Sequence, residues 1–255
     1  MGLCAAQAHF LDKKMTTEFL QNGITLPQSE GQFKLGTDAM LLADFAAPPR
    51  GAAVCDLCAG SGAVGLLLLA QDPSLNVTAV ELQEAACALM DRAVSENRLE
   101  DRFRVLQGDL REIRRLLPAG SFRQLVCNPP YYPLSGGYVP ENESQAIART
   151  ERCCTLDDVC AAASWLLKSG GSLWMVHLPG RLADLCCALR AAGLEPKRLR
   201  LVCPKPNAAP SLVLIRASRS GKPGLRWDVP LVLANDDGSP SEEYRRIYHI
   251  KEVEN

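Results

Sequence analysis

Short apolar runs alternate with helical hydrophobic periodicity from about residue 53 to residue 214. The apolar runs predict strands at residues 53–57, 76–80, 102–107, 125–127, 172–177, 198–203 and 211–216. The periodic stretches predict helices at residues 64–70, 84–97, 110–117, 156–167 and 182–192. Strands that alternate with helices predict an α/β fold, in which a parallel sheet carries helices on both faces. Ligands of such sheets bind beyond the carboxyl ends of the strands, where the strand order reverses.

The segments on either side of this core follow other patterns. Residues 23–34 predict a hairpin around a turn at 27–31, and Gly36-Thr37-Asp38 predicts the cap of a helix at 39–46. A linker of Ser, Gly, Lys and Pro at 218–223 precedes a short last segment. We therefore predict an N-terminal extension with a hairpin and a site-covering helix at 1–50, a core at 51–217 and a C-terminal extension at 218–255.

The composition indicates a substantial core and no strong overall charge. Hydrophobic residues make up 47% of the 255 residues, and the formal net charge is −1. A nucleic-acid partner would therefore need a local basic face. The longest apolar run, at 64–70, is too short to cross a membrane. Residues 1–14 lack the order of charged and apolar residues of a signal peptide, so we expect a cytoplasmic protein without membrane contact.

The 11 cysteines match neither a disulfide framework nor a zinc site. Two adjacent pairs stand at 153–154 and 186–187, where bridging is difficult. Cys55 and Cys58 form a C-x-x-C pattern, but no second pair follows at zinc-finger spacing. We expect buried free thiols in a reducing compartment and no bound metal.

A glycine-rich loop, Asp56-Leu57-Cys58-Ala59-Gly60-Ser61-Gly62, follows the first core strand. Gly60 and Gly62 allow the backbone to turn tightly and to approach a ligand without a Cβ clash. The loop opens a helix whose N-terminus can point amides at a carboxylate. Together with Gly65 the spacing also satisfies the dinucleotide pattern G-x-G-x-x-G, which is a weak signal by itself. Asp56 favours another ligand, because it can accept from an ammonium group such as that of methionine.

Two further acidic residues end the next two predicted strands. Glu81 can hold both hydroxyls of a ribose, which suits a dinucleotide as well as another nucleoside. Asp109 can face the adenine amine of a bound nucleoside, can be a plain helix N-cap, or can serve both roles. The strands therefore deliver three carboxylates to the same edge of the predicted sheet.

Asn128-Pro129-Pro130-Tyr131 follows the fourth strand and is the most informative tetrapeptide in the chain. Two successive prolines stiffen the backbone beyond the needs of a plain turn. Such stiffness suits chemistry at a planar amine, whose nitrogen must become tetrahedral before it attacks a methyl group. The Asn128 oxygen and the Pro129 carbonyl, held by Pro130, can accept from its two N–H bonds as positive charge develops. Tyr131 can stack on the planar target.

With both motifs in view, the chain resembles class I S-adenosylmethionine-dependent amino-methyltransferases, which share Asp-x-x-x-Gly-x-Gly and Asn-Pro-Pro-Tyr. Over roughly residues 22–250 it is similar to the bacterial tRNA1(Val) (adenine-37-N6)-methyltransferase family. The segments that carry this resemblance are 33–42, 56–65, 128–132 and the tail with residues 242–244 and 247–248. Many methyltransferase families share the two core motifs. The resemblance is narrowed to this one family by Gly36-Thr37-Asp38 and by the tail.

The resemblance implies a Rossmann-like fold whose seven-stranded, mostly parallel sheet ends in an antiparallel strand pair. It implies S-adenosylmethionine as the cofactor and S-adenosylhomocysteine as the product. The implied cofactor-binding residues are Asp56, Gly60, Gly62, Glu81, Asp109 and Asn128, with Thr37 and Asp38 over the methionine end. The implied catalytic segment is Asn128, Pro129, Pro130 and Tyr131. The implied reaction methylates the N6 amine of an adenine in tRNA, at position 37 of valine tRNA.

A local basic face is present in the last third of the chain. Residues 181–227 contain ten Lys or Arg against Asp184 and Glu195, an excess that can track a phosphate backbone or can be solvated surface. Residues 131–152 form a long connection with Gly136-Gly137, which we interpret as a substrate loop. We expect tRNA as the partner and a monomeric protein.

Three other functions fit part of the pattern. A protein glutamine N5-methyltransferase would also use Asn-Pro-Pro-Tyr on a planar amide, but such enzymes carry an N-terminal helical domain. A DNA adenine methyltransferase would need a target-recognition domain, for which the chain has little room. A non-catalytic Rossmann nucleotide-binding module would leave the segment from Asn128 to Tyr131 without a role.

Overall fold

The computed structural model describes residues 15–29, 35–132, 150–151 and 153–250. The strands are β1 (Met15–Phe19), β2 (Thr25–Ser29), β3 (Ala53–Leu57), β4 (Asn76–Glu81), β5 (Phe103–Gln107), β6 (Phe122–Cys127), β7 (Leu167–His177), β8 (Leu194–Cys203), β9 (Leu212–Arg219), β10 (Arg226–Trp227) and β11 (Leu231–Val232). The α-helices are α1 (Thr37–Ala46), α2 (Ala63–Gln71), α3 (Glu84–Glu96), α4 (Ile113–Leu116), α5 (Leu156–Leu166), α6 (Leu182–Ala191) and α7 (Glu242–Tyr248). Among these described residues, no helix has the length and apolar character to span a membrane.

One nine-stranded sheet has the order β10-β8-β9-β7-β6-β3-β4-β5, and β11 also pairs with β8. The strands from β5 across to β7 are parallel, whereas β9 runs antiparallel to both β7 and β8. The predicted α/β fold with a mostly parallel sheet and an antiparallel last pair is therefore confirmed. The expected seven strands become nine because two short segments of the C-terminal extension pair with the open edge of β8.

Two apolar clusters cover the two faces of this sheet. One contains α1, α2 and α3 and includes Val54, Val77 and Val126 from the strands. The other contains α5 and α6 and includes Cys55 and Leu125. Neighbouring residues of one strand, such as Val54 and Cys55, enter opposite clusters because successive side chains alternate across a sheet.

The N-terminal hairpin differs from the prediction. β2 pairs antiparallel with the upstream strand β1, and Pro27 and Gln28 belong to β2 instead of forming a turn. Pro27 is tolerated because β2 lies in a two-stranded sheet, where β1 is its single strand partner among the described residues. The other predicted strand of the hairpin, at 32–34, lies outside the described residues.

The short elements also differ in detail. The helix expected at 110–117 is a 3-10 turn at Leu110–Glu112 followed by the four-residue α4. Helix α1 begins at Thr37, so Gly36 is its N-cap and Asp38 belongs to its first turn. The predicted cap residues Thr37 and Asp38 are thus helical.

The C-terminal extension returns across the sheet edge to α1. The Arg246 guanidinium binds both carboxylate oxygens of Asp44 in α1, at 2.8 and 3.2 Å. Arg200 in β8 binds both oxygens of Glu243 in α7, at 2.8 and 2.6 Å. Helix α7 is therefore tied to the covering helix and to the sheet by bidentate ion pairs.

The cysteines are free, as expected, throughout the described part of the chain. The expectation of burial holds for Cys55, Cys87, Cys127 and Cys160, but Cys187 is exposed and the other described cysteines are partly exposed. Cys186 and Cys187 are adjacent on α6, and Cys186 packs at the margin of the core cluster that contains Leu185 and Leu189, whereas Cys187 faces solvent. Within the described ranges, no cluster of three or more His, Cys, Asp or Glu side chains is arranged to hold a metal ion.

Candidate active site

A cavity of about 380 Å³ opens at the carboxyl ends of the central strands. It lies at the point where the strand order reverses, between β3 and β6, because the chain first builds β4 and β5 on one side of β3. The loops after β3, β4, β5 and β6 form its wall together with the N-terminus of α1. The predicted site residues on this wall are Asp38, Asp56, Gly60, Glu81, Asp109, Asn128, Pro129, Pro130 and Tyr131. Thr37 and Gly62 do not belong to it.

The glycine-rich loop is shaped by backbone conformations that glycine adopts without strain. Gly60 and Gly62 have φ values of +57° and +78°, in the left-handed region. A Cβ on Gly62 would lie 2.8 Å from the Cγ of Met90 in α3. Gly60 therefore shapes the cavity wall, and Gly62 allows the start of α2 to pack closely against α3.

Asp56 is the penultimate residue of β3, lies on the cavity wall and is almost fully buried. Its Oδ2 accepts the N–H of Gly65 at 3.0 Å, whereas its Oδ1 has no partner among the described residues. Burial raises the pKa of Asp56 from 3.8 to about 7, and the nearby Glu81 contributes in the same direction. A buried carboxylate oxygen without a partner favours a cationic or hydrogen-bond-donating ligand.

Glu81 ends β4 and joins two loops of the wall. Its Oε2 accepts the N–H of Gly60 at 2.8 Å, and its Oε1 accepts the N–H of Gln83 at 2.8 Å. Burial raises the pKa of Glu81. Each carboxylate oxygen retains a second acceptor direction, so the group can still receive a pair of neighbouring hydroxyls.

Asp109 caps a helical turn and also lies on the cavity wall. Its Oδ1 accepts the N–H of Arg111 at 2.9 Å, which caps the 3-10 turn, and its carboxylate also pairs with the Arg111 guanidinium at 2.6 Å. The pKa of Asp109 is lowered by the hydrogen bond from the Arg111 side chain. The same residue lies on the cavity wall, where a nucleoside can reach it.

Asn128 and Tyr131 meet Asp38 in one hydrogen-bonded group. The Asn128 Nδ2 donates to Asp38 Oδ2 at 3.1 Å, and the Tyr131 hydroxyl lies 3.1 Å from the same oxygen. The Tyr131 hydroxyl also donates to Asn128 Oδ1. Burial, followed by the charge of Asp38, raises the pKa of Tyr131. Asp38, which the resemblance assigns to the cofactor, thus contacts the segment from Asn128 to Tyr131, in which Pro129 and Pro130 are buried.

Thr37 lies on the other side of the start of α1. Its side chain lies beside the Tyr248 side chain of α7. Tyr248 in turn stacks on Tyr244, with ring centroids 4.2 Å apart. A cofactor contact by Thr37 stays a prediction.

His177 is a site neighbour that the sequence patterns did not single out. It ends β7, is fully buried, and packs on the Tyr131 ring with centroids 5.3 Å apart. Its Nδ1 accepts the N–H of Leu178 at 2.8 Å, so the neutral ring carries its proton on Nε2, for which no partner is found in the described ranges. Burial lowers the pKa of His177 to about 4. In the sequence, His177 could have been noticed as a polar residue at the carboxyl end of an apolar strand.

Most basic residues of the segment 181–227 are engaged by the fold. Their partners are Glu151 and Asp184 for Arg181, Glu195 for Arg190, the Lys222 carbonyl for Lys197, Asp228 for Arg198 and Arg226, Glu243 for Arg200, Ser172 for Arg216 and the Leu167 carbonyl for Arg219. Several of these acids, such as Asp228 and Glu243, lie outside residues 181–227. The local excess therefore overstates the charge that is available to a phosphate backbone. Most of the predicted substrate loop lies outside the described residues.

Comparison with known proteins gives a consistent picture. The model of the family described as "Methyltransferase small domain" matches residues 28–181, which is more than half of the chain. A protein named tRNA1(Val) (adenine(37)-N6)-methyltransferase from Tolumonas auensis is 29% identical over 225 residues, 86% of this chain and 90% of that protein. A protein of the same name from a Shewanella species is 28% identical over 138 residues, 54% of this chain. In that case the match spans only 57% of the relative's length.

A solved structure matches the fold over most of its length. The crystal structure of a predicted O-methyltransferase from Agrobacterium tumefaciens superposes with a TM-score of 0.69 at 22% identity. The match covers 84% of this chain and 96% of that one. At this level of identity the likeness concerns the fold alone.

Proposed function

Because the chain belongs to the methyltransferase small domain family, we propose that it transfers a methyl group from S-adenosylmethionine to the N6 amine of an adenine in tRNA. The observation that carries this proposal is the meeting of Asp56 and Asn128 on one cavity wall. Asp56 offers an unpartnered acceptor to a cofactor, and Asn128 begins a rigid segment that suits a planar amine. The relatives named above support adenine 37 of a valine tRNA as the target.

The wall fits the chemical groups of S-adenosylmethionine. The Oδ1 of Asp56 would accept from the methionine ammonium, and Glu81 would hold the ribose hydroxyls. Asp109 would accept from the adenine amine, and Gly60 leaves the loop open beside the ligand. The cavity volume of about 380 Å³ lies within the range of small-molecule sites.

The residues of this chain act mainly by orienting the target amine. When bound, S-adenosylmethionine supplies a sulfonium methyl group that is open to attack by nitrogen. Asn128 Oδ1 and the Pro129 carbonyl accept the two N–H bonds of the amine and favour its tetrahedral form as positive charge develops. No side chain needs to remove a proton beforehand, because the methylated nitrogen is acidic and releases its proton to water afterwards.

Tyr131 provides an aromatic surface for the target base. Its ring is supported from behind by His177, and a base turned out of the RNA stack can be held by such a ring. Only an extruded or single-stranded adenine can reach the segment 128–131, which is partly buried. An anticodon-loop adenine meets that condition.

The organisation of the chain supports the division made from the sequence. We assign residues 51–217 to the catalytic core, and the extensions 1–50 and 218–255 to the covering of the site and the sheet edge. The contacts from Arg246 to Asp44 support a joint role of the two extensions. A tRNA partner also supports a cytoplasmic location.

The decisive experiment uses purified protein, radiolabelled S-adenosylmethionine and total tRNA from a strain that lacks this enzyme. We expect label in N6-methyladenosine, and an about 100-fold or larger loss in Asn128→Ala, as for removal of one oriented catalytic group. Binding of S-adenosylmethionine by the variant serves as the control for correct folding. Label in a protein fraction and none in tRNA would replace the RNA function with glutamine methylation.

A further inference from the structure

Asp38 contacts both Asn128 and Tyr131. We propose, on the basis of the proposed function, that Asp38 is a positioning residue that fixes the orientation of the Asn128 amide and gives the Tyr131 hydroxyl a second acceptor. The three side chains form one hydrogen-bonded group on the cavity wall. The consequence is that Asn128 Oδ1 is covered by Tyr131 before the target binds and is released to the target amine without a change in the backbone.

The orientation of an asparagine amide depends on its neighbours. Its oxygen and nitrogen ends have nearly the same shape, so packing alone does not distinguish two orientations related by a half-turn. The Asp38 carboxylate does distinguish them, because an ionised carboxylate only accepts hydrogen bonds. Asn128 Nδ2 therefore faces Asp38 Oδ2, at 3.1 Å. The reversed amide would place two acceptors against each other, and so Oδ1 is directed away from Asp38.

The Tyr131 hydroxyl has a single hydrogen and two acceptors within reach. It donates to Asn128 Oδ1, and Asp38 Oδ2 lies 3.1 Å from the same hydroxyl oxygen. When a target N–H approaches Oδ1, the hydroxyl can rotate about its C–O bond and donate to Asp38 instead. The ring need not move for this exchange. A buried acceptor is thereby satisfied in both states, which avoids the cost of an unpaired polar atom.

The fold holds the Asp38 carboxylate in place from its other oxygen. Asp38 Oδ1 accepts the N–H of Ala39 at 2.9 Å, so the side chain folds over the start of α1. A Cβ on Gly36 would lie 2.2 Å from this oxygen, which is closer than atoms can approach. Gly36 has an ordinary φ of −93°. Its lack of a side chain therefore leaves space for the Asp38 carboxylate and does not serve an unusual backbone conformation.

The test separates positioning from cofactor binding in the full-length protein. We expect Asp38→Ala to lower kcat about 30-fold or more, as for an oriented catalytic group, while the Kd for S-adenosylmethionine changes by less than about twofold. Gly36→Ala keeps the Asp38 carboxylate but displaces it, and it should therefore also lower kcat. Asp38→Asn can still accept from Asn128 and should retain more activity than Asp38→Ala. Asp91→Asn, on the exposed face of α3, is the matched control and should resemble the parent protein.

A cofactor role would give the opposite division of effects. The proposal is overturned if Asp38→Ala raises the Kd for S-adenosylmethionine about tenfold or more but keeps the parent kcat at saturating cofactor. It is also overturned if the Gly36→Ala and Asp38→Ala variants keep the parent kcat.

A spectroscopic measurement on protein without substrate keeps this test independent of the proposed function. The side-chain amide signals of Asn128, assigned by their loss in Asn128→Ala, should show slow hydrogen exchange in the parent protein. Asp38→Ala should make that exchange fast and shift the signals, because one Nδ2 proton loses its acceptor. Unchanged signals would refute the positioning role even if tRNA is the substrate. Changed signals in a protein that methylates no nucleic acid would support the positioning role and refute the function.

Discussion

Asp56 and Glu81, on neighbouring strands, hold the start of α2 and the glycine-rich loop, respectively. Asp56 Oδ2 accepts the N–H of Gly65 at 3.0 Å, and Glu81 Oε2 accepts the N–H of Gly60 at 2.8 Å. The two carboxyl groups are buried, and the charge of Glu81 raises the pKa of Asp56 beyond the effect of burial. The loop on the cavity wall is thus anchored by two buried carboxyl groups, and the charge of one of them, Asp56, changes near pH 7.

We predict that cofactor affinity falls as the pH falls below 7. Asp56 has a pKa of about 7 in the free protein, and its neutral form cannot pair with an ammonium group. The Kd for S-adenosylmethionine should therefore rise about tenfold between pH 8 and pH 6. Calorimetric titration at several pH values measures this change. In Asp56→Asn the binding should be weak and nearly independent of pH, and a parent protein with constant Kd would contradict the assignment.

Replacing the Asp56 carboxylate should stabilise the fold while weakening cofactor binding. The pKa of Asp56 is higher in the folded protein than its ordinary value of 3.8, so its contribution to stability is lost as the pH rises from about 4 to 7. Asp56→Asn should raise the free energy of unfolding of the cofactor-free protein by about 1–3 kcal/mol at pH 8. The gain should shrink at pH 5, where the folded parent is protonated. Urea unfolding at both pH values checks the sign, and an equal effect at both would exclude this cause.

Two substitutions at Tyr131 should separate its ring from its hydroxyl. Tyr131→Phe keeps the ring that packs on His177 and removes the donor to Asn128 Oδ1. We expect kcat within about threefold of the parent, because the target amine can still satisfy Oδ1. Tyr131→Ala should raise the KM for tRNA and lower kcat by about tenfold or more, since base stacking contributes about 1–3 kcal/mol. Steady-state kinetics would contradict this order if both variants were equally impaired.

His177 should make the protein sensitive to acid. Its pKa is lowered from 6.5 to about 4 in the folded state, so only the unfolded chain takes up a proton between these values. The stability that depends on neutral His177 is present above about pH 6.5 and is lost as the pH falls toward 4. Relative to His177→Phe, the parent should lose about 2 kcal/mol of unfolding free energy between pH 7 and pH 4.5. Denaturant unfolding of both proteins at the two pH values measures this difference, and parallel curves would exclude it.

Arg200 should contribute to the stability of the fold and not to the binding of RNA. Its guanidinium is bound by both oxygens of Glu243 and also donates to the Val229 carbonyl at 2.9 Å. Arg200→Met should lower the free energy of unfolding by about 1 kcal/mol and leave the KM for tRNA within about twofold. Unfolding curves and tRNA titrations check the two parts. An increased KM with unchanged stability would instead place Arg200 in the RNA contact.

The sequence predicted the sheet and the position of most site residues because both follow from local rules. Apolar runs fix the strands, and Asp56, Glu81 and Asn128 each stand at or just beyond a strand end. The strand order then brings these ends together. A side chain at such a position reaches the cavity whatever the details of the surrounding contacts.

Features that depend on pairing between distant segments could not be predicted in this way. β1 lacks an apolar pattern, and its Phe19 is 83% exposed, so nothing in the sequence marked it as the partner of β2. The acids that bind Arg198 and Arg200 are Asp228 and Glu243, which lie beyond the basic segment 181–227. The contact of Asp38 with Asn128 joins residues 90 positions apart.

The ion pair between Asp44 in α1 and Arg246 in α7 has a consequence for folding during synthesis on the ribosome. Asp44 and the Arg246 that binds it are separated by 202 positions in the chain. At typical rates of synthesis, roughly 5–20 residues per second, α1 is exposed for about 10–40 s before α7 is made. The helix that presents Asp38 to Asn128 thus acquires its full set of contacts late. A nascent chain can therefore form the strands of its central sheet, which end at Val232, before this ion pair is made.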